Sequence, residues 1–534
     1  MNNEANNAVT RRGFVGGAAV AGLGATLALQ SSVAKAEEVQ GEYLWTATEP
    51  ESWDEECEML IIGCGAAGAC ALIEANELGL KAIALEKNYD IKDCNCARSG
   101  GAVCAVNTIF QQQQGIEDNV DLFVDDVNVD GGWFGDQDVI RAWGEISGET
   151  LEWMYDMDVP FNPETYDAFA QTMSTAHSVA RDYKCLENPS TGYGWMQGLE
   201  AVILDRDYDL RLNTAGSKLY RDSTGRVVGA EAMTSDGDTY NIKATKGVLV
   251  CTGGLGSNKE YRAKYSSYYK WVIENCPNVF FRGPLSCDAD GTKMLESVGA
   301  KMNTVRPDVT IGPVVDQANV AGTIAPYPSY WRWDPHPLLV NYGGKRFMNE
   351  CSFADLMENR TIFYQDRITA FCIFDEAIRD TVNCQNYGQW YLDHSAEIGY
   401  PEAAGSFDTL EELADFFDID REGLLATVED FNSRVDSQEP DEFGRTIFTS
   451  KIENPPYYGF LNGVNMSTTK GGAAINAKGQ VLDYFGNPIP GLYAAGEDAM
   501  FSAHGSAEIH IVGGCNSFAF NYGRICARSI AEEA

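Results

Sequence analysis

Positive charge is scarce in this 534-residue sequence: 39 Lys and Arg stand against 78 Asp and Glu, a formal net charge of −39. So acidic a chain repels phosphate backbones and anionic headgroups, which argues against nucleic acid as a partner. Histidine is scarcer still, with five in the chain. There is no Cys-x-x-Cys pair and no Cys-x-x-Cys-His haem site; the nearest spacing, Cys94-x-Cys96, is a poor metal signature. The fifteen cysteines are odd in number, so at least one stays unpaired, and Cys64 and Cys251 fall inside apolar strands. Many free thiols suit an anoxic habitat; an iron–sulfur cluster with scattered ligands is the alternative. No internal repeat is present. What the chain does have is 44% hydrophobic and 11% aromatic residues, enough for the cores of two or three globular units.

The N-terminus departs from that composition. Thr10-Arg11-Arg12-Gly13-Phe14-Val15 precedes a Gly/Ala-rich apolar stretch reaching about Leu29, and Ala34-Lys35-Ala36 follows. This order resembles a twin-arginine export signal, with a small-residue cleavage site. The apolar part is too short and glycine-rich for a membrane span, and no second run long enough to span follows. Such a signal implies handling by the twin-arginine translocase, cofactor loading before export, and a place in the periplasm or at the outer face of the cytoplasmic membrane. The segments read as a signal over 1–36 and an acidic, unpatterned linker over 37–54.

Cys57 to Ile62 then reads as a short buried strand, Ala66 to Leu78 as a helix ended by Gly79, and Lys81 to Leu85 as a second strand. Between the first strand and the helix stands Gly63-x-Gly65-Ala66-Ala67-Gly68, and Glu86-Lys87 closes the second strand. Bare backbone at Gly63 and Gly65 admits a pyrophosphate to the helix N-terminus, Gly68 permits close packing, and Glu86 can accept hydrogen bonds from a ribose. A glycine fingerprint alone is weak evidence, but here it has its full strand–helix–strand context. Further along, helices are expected over Asp138 to Met157, Leu410 to Phe417 and Arg421 to Val435, and strands over Leu210 to Leu219, Val227 to Thr234 and Gly247 to Thr252.

Three more segments narrow the dinucleotide: Asn95-Cys96-Ala97-Arg98-Ser99-Gly100-Gly101, Thr252-Gly253-Gly254, and Gly491 to Asp498 with Glu497. With Asp288-Ala289-Asp290-Gly291, Gly344 to Glu350 and Gly523-Arg524-Ile525, they make the chain resemble the FAD-dependent fumarate reductase and 3-ketosteroid dehydrogenase flavoproteins from about residue 55 onward. The resemblance implies an α/β fold: a Rossmann-like FAD-binding domain over 55–305 and 467–534, with an α+β capping domain inserted over 306–466. It implies non-covalent FAD, held at the residues above, and hydride exchange between flavin N5 and one carbon of a C=C bond while a protein group handles the proton.

The departures from the family pattern are informative. Fumarate reductases carry an arginine proton donor four residues past the Phe-x-Asn-Glu motif; counted from Glu350, that place holds Ala354. The relay arginine and glutamate of the family fall at Trp333 and Tyr330, and the carboxylate-binding arginine of the C-terminal loop at His510 or Ile511. A buried carboxylate without cations is costly, so a dicarboxylate fits poorly. Tyr327 to Trp333 offers flat aromatic surface instead, and Thr469-Lys470-Gly471-Gly472 is closer to the ketosteroid dehydrogenases.

The expected substrate is therefore a flat enone, such as a 3-oxosteroid or an unsaturated lactone. His504 and His510, in the loop that faces substrate in this family, are expected to polarise its carbonyl, and Tyr330, with Arg332 as the neighbouring cation, to supply the proton. The alternatives are a small unsaturated acid of the fumarate, urocanate or cinnamate type, with Arg332 or Lys470 binding the carboxylate, or a flavin electron-transfer protein without catalysis. With neither a haem motif nor a second nucleotide fingerprint in the chain, electrons are expected from a membrane quinol or a cytochrome.

Overall fold

The computed structural model describes residues 47–165, 178–186, 192–276, 279–281, 283–304, 306–313, 338–351, 361–379, 392–393, 395–396, 401–504 and 511–533. Residues 46–534 cluster as one compact unit. Among the described residues, no helix is long and apolar enough to cross a membrane.

The strand Glu55–Ile62 is buried on both faces from Met59 onward, as an unalternated apolar run demands. It pairs in parallel with Ala82–Leu85 on one side and with Thr239–Val250 on the other. Pro488–Ala494 extends the sheet in parallel beyond Thr239–Val250, and Leu210–Arg211 extends it beyond Ala82–Leu85. The expected strand over Leu210 to Leu219 is two strands, broken where Asn213 takes a left-handed φ of 53°. Its second half, Thr214–Arg221, forms an antiparallel hairpin with Val227–Thr234 that hangs on the early part of Thr239–Val250.

The helix Ala66–Glu77 is buried from Ala66 to Ala75 because its residues are small. Against it lies the C-terminal helix Gly514–Ala531, so near that a Cβ on Gly523 would stand 2.1 Å from the Ala67 carbonyl oxygen. Glu74 pairs with Arg524 and Arg528 across this contact and satisfies charges that burial would otherwise penalise.

A second sheet is built on the long strand Tyr457–Lys470, which pairs antiparallel with Arg306–Pro313, Ala370–Asp375 and Ala404–Phe407. Its core mixes aliphatic side chains such as Leu338, Ile373 and Leu413 with the buried rings of Phe371, Phe374, Phe417 and Phe460. The strand Val279–Phe281, in the stretch expected to belong wholly to the FAD-binding domain, pairs in parallel with Val464 to Met466 of this second sheet. Tyr269 and Val272 join the same core. Residues on both sides of 305 thus contribute to the second sheet.

The stretch expected as a free linker is tied down at its end. Thr48 N–H donates to the Arg221 carbonyl at 2.8 Å, Asp54 N–H to the Asn241 carbonyl at 3.0 Å, and the Trp53 ring meets Tyr220 edge-on at 5.5 Å.

Candidate cofactor cavity and active site

The carboxyl ends of the parallel strands open into an elongated cavity, the position where open α/β sheets take their ligands. Gly63, Gly65, Ala66 and Ala67 form one wall. Gly65 caps the helix Ala66–Glu77 without a side-chain hydrogen bond, and no acidic residue lies in the first turn. The free N–H groups and dipole of that helix end favour an anion.

The three fingerprint glycines have different reasons. A Cβ on Gly63, whose φ is 95°, would stand 2.5 Å from the Cys251 carbonyl oxygen, and one on Gly68 would stand 2.0 Å from the Gly63 carbonyl oxygen. A Cβ on Gly65 would meet nothing nearer than the Cys94 side chain at 3.4 Å. Protein packing explains the first and third glycines and gives no reason for the second, which borders the cavity.

Glu86 is buried, and its carboxylate accepts the Cys64 N–H at 2.8 Å and the Asn88 N–H at 2.9 Å. Burial pushes its carboxyl group up, and the two amides pull it back. Its aim at the cavity is fixed by these bonds, with lone pairs left for ribose hydroxyls. Lys87 sits beside it and bridges Asp290 at 2.8 Å and Asp288 at 3.1 Å.

Asn95, Ser99, Gly100 and Gly101 line the cavity farther on. Asn95 Nδ2 donates to the Gly253 carbonyl at 3.0 Å and to Glu497 at 2.8 Å, while the other oxygen of Glu497 accepts the N–H and the hydroxyl of Thr469. Thr252, Gly253, Asp290 and Glu497 all face the cavity. Gly254 and Gly68 stand behind the wall; a Cβ on Gly254 would lie 2.5 Å from Thr469 Oγ1.

Sequence reasoning missed several lining residues. Ser286, Cys287, Thr468, Met500 and the first turn of the C-terminal helix, Gly514 to Asn516, all contribute. Asn516 Nδ2 donates to Ser99 Oγ and to the Ala102 carbonyl, both at 3.0 Å, and so joins the far end of the chain to the Ser99 loop. A Gly-Gly pair before an apolar helix, Gly513-Gly514, was the available signal.

Burial holds the cavity thiols Cys94, Cys251 and Cys287 well above their usual range, Cys94 at about 12. They are protonated and poor metal ligands. Among the described residues, no group of three His, Cys, Asp or Glu converges to hold a metal, so the iron–sulfur alternative finds no ligand set there.

Glu350, next to the segment that bears Ala354, is fully enclosed by cations. Arg346 clamps it through two nitrogens, Arg445 donates at 3.0 Å, and the Leu339 N–H donates at 3.1 Å. Burial alone would raise this carboxyl, but the two arginines outweigh it and hold it at about 2. A group so firmly ionised is no proton donor. Tyr330, Arg332 and His510 lie outside the described residues, as do Trp333 and Ala354; His504 ends the short helix Phe501–His504, and its side chain is likewise outside the description.

The residues present fit a flavin dinucleotide: a ribose acceptor, an uncapped helix N-terminus and a long cavity between them and the Ser99 loop. Comparison with known proteins agrees. The profile of the family described as FAD binding domain matches residues 58–510. Urocanate reductase of Eggerthella lenta is 31% identical over 463 residues, covering 84% of this chain and 71% of that protein. A flavocytochrome c3 fumarate reductase in its open conformation superimposes with a TM-score of 0.71 at 26% identity, covering 90% of this chain and 79% of that one. The 3-ketosteroid delta1-dehydrogenase of Sterolibacterium denitrificans, at 20% identity, shares the fold with a TM-score of 0.71 over 89% of this chain and 99% of that one.

Proposed function

Because the chain belongs to the FAD-binding-domain family of flavoproteins, we propose that it is an exported FAD-dependent oxidoreductase that reduces a C=C bond conjugated to a carbonyl group. The observation that carries this is the cavity itself, with Gly65 bare for no reason internal to the protein and Glu86 fixed beside it. FAD, when bound, supplies the two-electron chemistry that side chains lack.

This chain's residues do the rest. Glu86 would hold the ribose and the Ala66–Glu77 helix end the pyrophosphate of bound FAD, and the Asn95–Glu497–Thr469 chain of hydrogen bonds joins three separate segments at the cavity. The second sheet forms a cap that excludes water from the reaction. His510, with His504 in reserve, donates a hydrogen bond to the substrate carbonyl, and Tyr330 beside Arg332 delivers the proton at the neighbouring carbon.

The substrate in this reading is a flat enone. Loss of the family arginines at Ala354 and Trp333 removes the charges a dicarboxylate needs, and the aromatic run Tyr327 to Trp333 supplies apolar surface. The likeness to urocanate reductase supports a second reading, an unsaturated monocarboxylic acid paired with Arg332 or Lys470. The electron donor is a membrane quinol or a cytochrome, and the Arg11-Arg12 segment directs export to the periplasm.

The deciding experiment mixes photoreduced holoenzyme, without oxygen, with a panel of 3-oxosteroids, unsaturated lactones, urocanate, cinnamates and fumarate. Reoxidation of the flavin absorbance by the cyclic enones alone supports the first reading, and by the unsaturated acids alone the second. Reoxidation by none of them overturns both and leaves an electron-transfer protein.

A further inference from the structure

Asp498 follows Glu497 in sequence but faces away from the cavity, and it is fully buried. Its Oδ2 accepts both the N–H of Thr252 and, at 2.9 Å, the Thr252 hydroxyl. The Thr252 hydroxyl oxygen in turn accepts the Gly291 N–H at 3.2 Å. Asp498 Oδ1 has no hydrogen-bond partner, and it stands 2.8 Å from the point a Cβ on Gly291 would occupy. On the opposite face of the same threonine is the phosphate turn: a Cβ on Gly63 would lie 2.9 Å from Thr252 Cα. A single residue of backbone therefore separates this carboxyl group from the place where the pyrophosphate binds.

An ionised carboxylate with one oxygen buried and without a hydrogen bond of ordinary geometry is costly even with the Gly254 amide favouring it, whereas a neutral acid keeps the Thr252 bonds and avoids most of that cost. Two phosphate charges beyond Thr252 add repulsion to the ionised form. We propose that Asp498 is a positioning residue of the cofactor site that works as a neutral acid: it holds Thr252 against the phosphate turn and takes up a proton when FAD binds. The proposal rests on the FAD reading and on no particular substrate.

The surroundings agree with it. From the Asp290–Ser297 helix the facing charge is Asp290, which raises Asp498, while Lys87 and Lys293 are engaged with Asp290 itself. From the Thr239–Val250 strand end the neighbouring titratable group is the Cys251 thiol, which stays neutral. Glu497, on the same segment, is bound to Asn95 and Thr469. Burial lifts Asp498 to about 6, with Thr252 and the Gly254 amide pulling down. The sign follows: a bound dianion lifts it further, so FAD affinity falls as pH rises through the interval between the free and loaded values.

The test is calorimetric titration of the wild-type apoprotein with FAD at about pH 6.5, in two buffers of different ionisation heat, together with the Kd from about pH 5.5 to about pH 8. Net proton uptake is expected, with Kd rising about tenfold across the range, the effect of a rise of about one pKa unit on binding. Asp498→Asn, which keeps an acceptor for Thr252, should bind FAD with a flat pH profile and no uptake; Asp498→Ser serves if the amide fails to fold. No uptake by the wild type, or the same uptake in both folded variants, which would transfer the proton to Glu86, overturns the proposal. Absence of FAD binding at every pH would overturn the cofactor reading and this proposal together.

Discussion

Asn95 and Glu497 lie 402 residues apart in sequence and share a hydrogen bond of 2.8 Å at the edge of the cofactor cavity. The same carboxylate takes two donors from Thr469, near the end of the long strand Tyr457–Lys470. All three donors require a carboxylate oxygen. Glu497→Gln turns an NH2 toward a donor and should weaken FAD binding about tenfold or more while the apoprotein still folds, since a mispaired buried polar group costs about 1–3 kcal/mol. Flavin fluorescence quenching on titration measures it, and an unchanged Kd would count against the network.

The fingerprint glycines predict two different failures. Gly65→Val should give a folded protein without yellow colour, because its side chain enters open cavity. Gly68→Val should fail to fold or melt far lower, because its Cβ would meet the Gly63 carbonyl at 2.0 Å. Circular dichroism and the flavin-to-protein absorbance ratio separate the two. A flavin-loaded Gly65→Val protein would refute the pyrophosphate path.

In the cap, Glu350 with Arg346 and Arg445 sets a clear pH dependence. Its folded value of about 2 lies below the ordinary 4.5, so its contribution to stability is present above about pH 4.5 and is lost as pH falls towards about 2. Glu350→Gln should cost about 3–5 kcal/mol near neutral pH by removing the buried carboxylate that Arg346 and Arg445 share, and its stability should depend less on pH below about 4.5 than that of the wild type. Chemical denaturation at several pH values tests both statements.

Burial keeps the cavity thiols Cys94 and Cys287 protonated, and so unsuited to attack the flavin ring. Acid precipitation should therefore release FAD into the supernatant. Colour in the pellet would show a covalent bond.

His510→Ala should slow substrate-driven flavin reoxidation by roughly two to three orders of magnitude, the usual effect of losing one oxyanion donor, with FAD content unchanged. His504→Ala takes that role if the loop register differs. Stopped-flow traces of both variants at near-wild-type rates would remove this loop from the mechanism.

By itself the sequence determined the local pieces. The strand Glu55–Ile62, the helix Ala66–Glu77 and the second strand Ala82–Leu85 were legible because apolar periodicity, glycine punctuation and strand length are set within a few residues. So was the place of Glu86, at the end of a strand beside the glycine turn. Only tertiary structure decided what stands behind those pieces. Nothing local shows that Asn516 bonds to Ser99, that Cys287 and Thr468 line the cavity, that Val279–Phe281 joins the cap sheet, or that Asp498 is buried against Thr252. These contacts join segments tens to hundreds of residues apart, and they exist because the buried faces of the parallel sheet, its helices and the cap can be covered at once only in this packing, which leaves each polar group the partners that packing happens to supply.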